Sequence, residues 1–362
     1  MQIDFDDEVE HEAVQKIYDL ARDPDDRPFF LTVSFTHPHS PYLISEKYWD
    51  MYEDVEIDMP TVPTIEYDDL DPFSQARYVA MGHPYYTITD DQIRTARRAY
   101  YGMVSYIDDK VGAVLDTLRE AKLADNTIII FASDHGEMLG ERGMWLKDTF
   151  FEWSVRVPLF VAGPRISPGR VSHNVSLVDL TPTILELAGK DTEPVDPFDG
   201  DSFVPLLEGN TDGWKDEAIS EYAATGHQAP SRMIRKGDYK YWVSGGLAPM
   251  LFNLADDPDE LENLAGRSEV EEVERDLHAR MMSGWDPEFV EKSCRLSQQR
   301  RLLLRDLTEK TEKYSNWSAQ VSRDDANRYV RGRASSFYAK ARMRFPFVEE
   351  IPPDHDPDLE SF

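Results

Sequence analysis

The sequence predicts an α/β fold with a mostly parallel, doubly wound sheet, a small C-terminal antiparallel subdomain and an extended tail. The first observation is a short, purely apolar run at 127–132, which suits a strand buried on both faces of a parallel sheet. The second is the alternation of such runs with helical patterns up to about residue 188. The third is a change after about residue 215, where 232–243 reads as a hairpin turning at Lys-Gly-Asp.

The individual elements follow from periodicity and from their end signals. Residues 8–21 carry apolar side chains at helical spacing, and Asp23-Pro24 ends that pattern. Thr89-Asp-Asp-Gln92 is a capping box, which predicts the start of the longest helix, to about Ala121. The remaining predicted helices are 177–188 and 268–306, and the predicted strands outside the hairpin are 29–35, 127–132, 158–162 and 250–254.

Residues with metal-binding chemistry stand at the carboxyl end of the 127–132 run. Asp134 and His135 follow it after Ser133, at the position where open α/β sheets bind ligands. Carboxylate and imidazole are both metal-ligand types. Lys147 follows at a distance that a loop can fold back over, and it offers a point charge for an oxyanion. The alternative to a metal site is a capped strand end whose Asp134 and His135 side chains are merely solvated. The Gly-Glu-Arg-Gly loop and Lys147 favour the metal site over this alternative.

These segments resemble the sulfatase branch of the alkaline-phosphatase superfamily. The loop Ser34-Phe-Thr-His-Pro-His-Ser-Pro-Tyr42 and the Leu177-Val-Asp-Leu-Thr-Pro-Thr run belong to the same pattern. The similarity is greatest to choline sulfatases and to the related phosphonate and phosphate ester hydrolases. Arg328-Tyr-Val-Arg and Ala341-Arg-Met-Arg-Phe-Pro346 are similar to the C-terminal tail of choline sulfatases, so the resemblance runs almost end to end.

The resemblance implies a role for each candidate residue. Asp134 and His135 match two metal ligands, and Lys147 matches the lysine that contacts the sulfate. His39 matches the histidine that contacts the sulfate or the leaving oxygen, and its proline-flanked loop suits a proton donor that must be held in place. His37, in the same loop, is a second candidate for substrate binding. The cofactor is expected to be a divalent metal, calcium by analogy with choline sulfatases, with manganese or magnesium as the second choice.

The family's nucleophile is not encoded in this sequence. Family members carry Cys-x-Pro-x-Arg or Cys-x-Ala-x-Arg, whose cysteine becomes formylglycine. The single cysteine, Cys294, has neither pattern and is expected to be an ordinary residue of a helical segment. The family's nucleophile position would lie upstream of residue 1, so we expect a sulfatase that is incomplete or inactive as it stands. A phosphonate or phosphate ester hydrolase, and a non-catalytic fragment or pseudoenzyme subunit, are the alternatives.

Two segments argue against choline as the alcohol part of the substrate. Choline sulfatases show Glu-Tyr-x-Ala-Glu-Gly, where this chain has Glu221-Tyr-Ala-Ala-Thr225-Gly226. Residues 331–337 also lack the acidic residue of the choline-sulfatase tail. A quaternary cation is recognised by aromatic faces and carboxylates. We therefore expect a small sulfate ester as substrate, with Thr225 at the position that would face its alcohol group.

Composition narrows the classes of partner. The net charge is −30, from 69 acidic and 39 basic residues, which argues against nucleic acid and anionic membranes and suits solubility at high salt. A single cysteine excludes an internal disulfide and fits a reducing, cytoplasmic setting, and no signal-peptide pattern is visible at the start.

The aromatic tail is expected to pack on the body or on a neighbouring subunit of a homo-oligomer. The expected domain boundaries are 1–214, 215–306 and 307–362.

Overall fold

The computed structural model describes residues 2–25, 27–81, 83, 87–164, 166–189, 197–223 and 229–310. The helices are α1 (Gln2–Arg22), α2 (Glu46–Asp50), α3 (Pro72–Ala80), α4 (Asp90–Glu120), α5 (Glu152–Val155), α6 (Leu180–Leu187), α7 (Val204–Leu207), α8 (Glu271–Met282) and α9 (Pro287–Lys310). The strands are β1 (Ile129–Ala132), β2 (Leu159–Ala162), β3 (Glu217–Tyr222), β4 (Ser231–Lys236), β5 (Tyr239–Ser244) and β6 (Met250–Asn253). Within these ranges, no helix is long and apolar enough to cross a membrane.

The chain forms two compact units. The first unit comprises Met1–Pro63, Ile88–Arg142 and Arg156–Arg170, and the second comprises Thr64–Thr87, Gly143–Val155 and Val171–Phe362. The expected domain boundaries near residues 214 and 306 stay a prediction.

The long helix α4 organises the first unit. Thr89 accepts a hydrogen bond from the backbone N–H of Gln92, and the Gln92 side chain accepts one from the backbone N–H of Thr89. This confirms the predicted capping box. Helices α1 and α2 pack against α4, whose Met103 side chain is fully buried. A Cβ on Gly102 would lie 3.0 Å from the Tyr48 carbonyl oxygen, so glycine permits the close approach of α2.

Strands β1 and β2 form an antiparallel pair in the first unit. Ile129 pairs with Ala162, and Ala132 pairs with Leu159. Both predicted strands are confirmed with shorter bounds. The expected burial on both faces is not seen: β1 is half-buried with Ala132 exposed, and Phe160 on β2 is 65% exposed. The expected parallel pairing is not seen among the described residues, where this sheet is represented by β1 and β2 alone. An antiparallel edge strand is common in mixed sheets.

The predicted strand at residues 29–35 is wrong. The segment is extended, but it has no strand partner within the described residues. An extended segment becomes a strand only when its backbone groups join a ladder. The side chains that suggested a buried strand are half-buried or exposed here, and Phe30 is 75% exposed.

The second unit contains a four-stranded antiparallel sheet in the order β3-β4-β5-β6. The β4–β5 hairpin turns at Gly237, whose φ of 53° lies in the left-handed region that glycine adopts without strain. Helix α8 packs on β4 and β5, and Leu277 and Met281 close a core with Ile234 and Leu251. The predicted hairpin and the small antiparallel subdomain are confirmed. The tail from residue 311 lies outside the described residues.

The Leu177-Val-Asp-Leu-Thr-Pro-Thr run has a structural role in the second unit. Asp179 is fully buried and accepts hydrogen bonds from the backbone N–H of Ser176 and Asp201 and from the Lys215 ammonium. A Cβ on Gly200 would lie 2.4 Å from the Val178 carbonyl oxygen, so only glycine fits there. The motif therefore joins two loops through one carboxylate.

Candidate active site

Asp134 and His135 lie directly after β1 in the first unit, as predicted. The Asp134 side chain is 86% exposed, and its Oδ1 accepts the backbone N–H of His135. The His135 Nδ1 donates to the Gly136 carbonyl oxygen at 2.8 Å, which places the lone pair of the neutral ring on Nε2. That Nε2 lies 3.7 Å from Asp134 Oδ2. Two potential ligand atoms therefore converge at the strand end.

The spacing of this pair suits a shared cation. Metal–ligand distances of about 2.0–2.5 Å place two neighbouring ligands roughly 3–4 Å apart. The ring orientation also fits, because a ligating histidine commonly donates its other N–H to a backbone carbonyl. However, no group of three or more His, Cys, Asp and Glu side chains suited to a metal occurs in the described part of the chain. The pair therefore fits as part of a ligand shell and does not close one.

His39 lies beside this pair. Its ring centroid is 5.7 Å from that of His135, with the planes at 68°. The His39 Nδ1 donates to the Ser40 carbonyl oxygen at 2.7 Å, so proton exchange by this ring takes place at Nε2. The peptide bonds before Pro38 and Pro41 in this loop are cis. The structure thus brings together three of the predicted site residues.

His37 is buried behind the same loop. Its Nδ1 donates to Asp6 Oδ2 at 2.5 Å, and its Nε2 lies 3.3 Å from the Leu43 carbonyl oxygen. Asp6, on α1, also accepts the backbone N–H groups of Thr36 and His37 at 2.7 and 2.9 Å. The His37 side chain is 1% exposed, so this placement favours a part in holding the loop over direct contact with a substrate.

Replacing Asp6 with asparagine should lower the free energy of unfolding by about 2–3 kcal/mol at neutral pH. Burial alone raises the pKa of Asp6, but hydrogen bonds from the His37 ring and from the Thr36 and His37 backbone bring the pKa below its ordinary value. Stability from a lowered pKa is present above the ordinary aspartate range and is lost as the pH falls through the folded-state pKa. The difference between wild type and variant, measured by urea unfolding, should therefore shrink below about pH 4.

The exposed Asp125→Asn provides the control for that series, since it removes a carboxylate of the same unit without a buried hydrogen bond. A wild-type advantage that stays constant from neutral pH to about pH 3 would show that the Asp6 charge is not the source of the stability.

A buried carboxylate anchors the loop that follows His135. Glu141 is fully buried and accepts the backbone N–H groups of Thr61 and Val62 at 3.0 and 2.8 Å. Arg97, on α4, donates to the Leu139 carbonyl oxygen at 3.1 Å and lies 3.6 Å from Glu141. Glu141 is therefore held by α4 and by residues 61–62 within the first unit.

Lys147 belongs to the second unit, where Arg77 contacts its main chain. The Arg77 Nε donates to the Lys147 carbonyl oxygen at 2.9 Å, and Nη2 donates to the same oxygen. Thr225, the remaining candidate, lies outside the described residues. Sequence reasoning assigned no role to Asp6, Glu141 or Arg77, because each acts through a partner more than 30 residues away.

Comparison with known proteins identifies the family. The family model described as Sulfatase matches residues 4–190, and the one described as N-sulphoglucosamine sulphohydrolase, C-terminal, matches residues 140–285. The chain is 41% identical over 355 residues to the choline-sulfatase of Rhizobium meliloti (strain 1021), covering 95% of this chain and 68% of the relative. It is 31% identical over 290 residues to the multifunctional alkaline phosphatase superfamily protein PehA of Trinickia caryophylli, covering 72% of this chain and 56% of the relative.

A solved structure supports the same assignment. The phosphonate monoester hydrolase of Agrobacterium radiobacter matches with a TM-score of 0.65 and 28% identity, over 75% of this chain and 59% of that one. The chain thus spans between 56% and 68% of the length of these relatives. The predicted sulfatase and alkaline-phosphatase type of fold is confirmed, and the chain belongs to the sulfatase family.

Proposed function

We propose that this chain supplies the metal-ligand pair, the proton donor and the anion-binding lysine of a metal-dependent sulfuric-ester hydrolase. The observation that carries the proposal is that the His39 ring lies beside that of His135, whose Nε2 in turn lies 3.7 Å from Asp134 Oδ2. Membership of the sulfatase family makes sulfate esters the first substrate class to test.

Each residue has a defined task in this proposal. Hydrolysis of a sulfate ester leaves an alkoxide, whose oxygen must gain a proton. His39 can donate that proton from Nε2, because its Nδ1 is held by the Ser40 carbonyl oxygen. The Lys147 ammonium would offset negative charge on the sulfate oxygens. A bound divalent ion would supply Lewis-acid stabilisation of those oxygens, with Asp134 and His135 among its ligands.

Calcium is our first choice of metal because the Asp134 carboxylate is a hard oxygen ligand. Imidazole is a better ligand for manganese than for calcium, so His135 makes manganese the second choice. Magnesium, which binds oxygen ligands, shares that second place. The wild-type chain is dialysed against calcium, manganese or magnesium, and the metal content measured after each dialysis shows which ion it retains.

Turnover of an aryl sulfate tests the proposal. The 362-residue chain should be inactive, because its sequence contains no formylglycine motif. Fusion to the part of the Rhizobium meliloti relative that this chain does not match should restore activity that a chelator abolishes. In the fusion, His39→Ala should reduce kcat by about 10²–10⁴. A fusion that tolerates His39→Ala, or an active unfused chain, would contradict the respective part of the proposal.

A phosphonate or phosphate ester hydrolase is the second candidate. The structural match to a phosphonate monoester hydrolase favours it. A panel of aryl sulfate, phosphate monoester, phosphate diester and phosphonate monoester, compared by kcat/KM in the fusion, decides between the two classes.

The fusion should not prefer choline sulfate strongly over neutral sulfate esters. Thr225 stands where choline sulfatases have glutamate, and a trimethylammonium without a carboxylate gains only cation–π contacts of about 0.5–2 kcal/mol. Thr225→Glu should raise kcat/KM for choline sulfate relative to a neutral alkyl sulfate, and Thr225→Gln is the uncharged control. A wild-type preference for choline sulfate of several orders of magnitude would show that the argument from this position is wrong.

The tail is proposed to mediate a homo-oligomer in a cytoplasmic protein. Its aromatic residues after Lys310 are the observation behind this proposal. Light scattering of the chain with and without residues 311–362 tests it, and an unchanged mass would count against the tail.

A further inference from the structure

One arginine holds the main chain on which Lys147 stands. Arg77 lies on α3, is 1% exposed, and donates from both Nε and Nη2 to the Lys147 carbonyl oxygen. The same Nη2 lies 3.1 Å from a carboxylate oxygen of Asp148. A planar guanidinium can make these contacts together because its donors form a rigid fork. We call Arg77, Lys147 and Asp148 the lysine clamp.

The backbone of the clamp has an uncommon conformation. Leu146 and Asp148, the two residues that flank Lys147, have φ angles of 69° and 71°. Residues with a Cβ rarely adopt this left-handed region, and such strain persists only where surrounding contacts impose it. The Arg77 hydrogen bonds are contacts of that kind, since they fix the peptide between Lys147 and Asp148. The direction in which the Lys147 side chain leaves the main chain is therefore set.

Two titratable side chains beside the clamp, His83 and Tyr222, are uncharged at neutral pH. Burial, followed by the positive charge of Arg77, lowers the pKa of His83 to about 4, so this ring is neutral at neutral pH. Burial and the Asp148 carboxylate raise the pKa of Tyr222, whose hydroxyl stays protonated and donates a hydrogen bond to Asp148. Asp148 is thereby held from two sides, by a hydroxyl and by a guanidinium.

We infer that Arg77 is a positioning residue that aims the Lys147 ammonium at an oxyanion. The inference rests on the proposed role of Lys147 as an anion-binding residue and adds the group that orients it. Arg77 itself is buried against the main chain and acts through Lys147. Because the guanidinium bonds the backbone, a charge-preserving change that loses the fork should weaken anion binding while Lys147 remains present.

Sulfate binding to the 362-residue chain, measured by calorimetry against chloride at equal ionic strength, tests the inference. Lys147→Ala should weaken sulfate binding by about tenfold or more, as expected for loss of a hydrogen bond to a charged group. Arg77→Lys should weaken it by a similar order, because an ammonium cannot replace the two-pronged contact. The double variant should bind no worse than Lys147→Ala within about twofold, because Arg77 acts through the missing side chain.

Two controls separate positioning from general damage. Arg232→Lys makes the same chemical change at a partly buried arginine that also donates to a backbone carbonyl and lies 3.2 Å from a carboxylate, and it should leave sulfate affinity unchanged. Lys292→Ala removes an exposed cation of the same unit and should also have no effect. Hydrogen exchange of the amides at 146–149 gives a second readout, which should rise in Arg77→Lys without a change in that of the β-sheet.

The outcomes distinguish this inference from the function on which it rests. No sulfate affinity in the wild type, or full affinity in Lys147→Ala, overturns the proposed role of Lys147 and the inference with it. If Lys147→Ala weakens binding but the effect of Arg77→Lys adds to it in full, or Arg77→Lys has no effect, the positioning role is wrong while the role of Lys147 stands. Loss of affinity in Arg77→Lys with faster exchange throughout the sheet would show unfolding and would also overturn it.

Discussion

Replacing Asp134 or His135 with alanine should lower the aryl sulfatase activity of the fused enzyme by more than about a hundredfold. Loss of groups that merely support metal ligands already costs 10–100-fold in affinity or activity, so loss of a ligand should cost more. Both side chains converge at the end of β1, with His135 Nε2 3.7 Å from Asp134 Oδ2. Elemental analysis of each purified variant should show less bound metal than the wild type.

Asp125→Ala is the matched control, since Asp125 is an exposed aspartate just before β1. It should retain both metal content and activity. Normal metal content in both Asp134→Ala and His135→Ala would place the metal elsewhere in the protein. Reduced metal with unchanged turnover would instead show that the ion is not needed for the reaction.

The position of this pair could be predicted because its signal is local. An apolar run that stops at Ser133-Asp134-His135 marks both the strand and its carboxyl end, and β1 ends at Ala132. The start of α4 is equally local, because Thr89 and Gln92 cap the helix through groups three residues apart. The β4–β5 hairpin follows from the glycine at its turn. Such elements can be predicted without the positions of distant partners.

The rest depends on contacts between distant parts of the sequence. The hydrogen-bonded pair of Asp6 and His37 joins residues 31 positions apart, and the sequence around Asp6 does not show which acid of α1 contacts His37. Arg77 and Lys147 are 70 positions apart. At residues 29–35 a local pattern predicted too much: their apolar composition indicated a strand, but the segment has no strand partner in the described residues. Local patterns therefore located the candidate ligands but not the groups that hold them.

Replacing Lys240 with methionine should lower the free energy of unfolding by about 3–5 kcal/mol, the cost of breaking a buried ion pair by removing one partner. Lys240 is fully buried on β5, and its ammonium lies 2.8 Å from Glu260 and 2.6 Å from Glu152. It also donates to the Phe150 carbonyl oxygen at 2.8 Å. Urea unfolding of the 362-residue chain measures the loss, and Lys292→Met is the exposed control.

The two carboxylates should respond differently once Lys240 is gone. Without Lys240, Arg235 still pairs with Glu152 at 2.6 Å. Burial raises the pKa of Glu260, so the negative charge of Glu260 loses more stabilisation than that of Glu152 when the ammonium is removed. Adding Glu260→Gln to Lys240→Met should therefore recover part of the lost stability, because it removes the uncompensated buried charge. Adding Glu152→Gln should recover less. If Lys240→Met costs under about 1 kcal/mol, or if both second substitutions lower stability further, the network does not depend on the Lys240 charge.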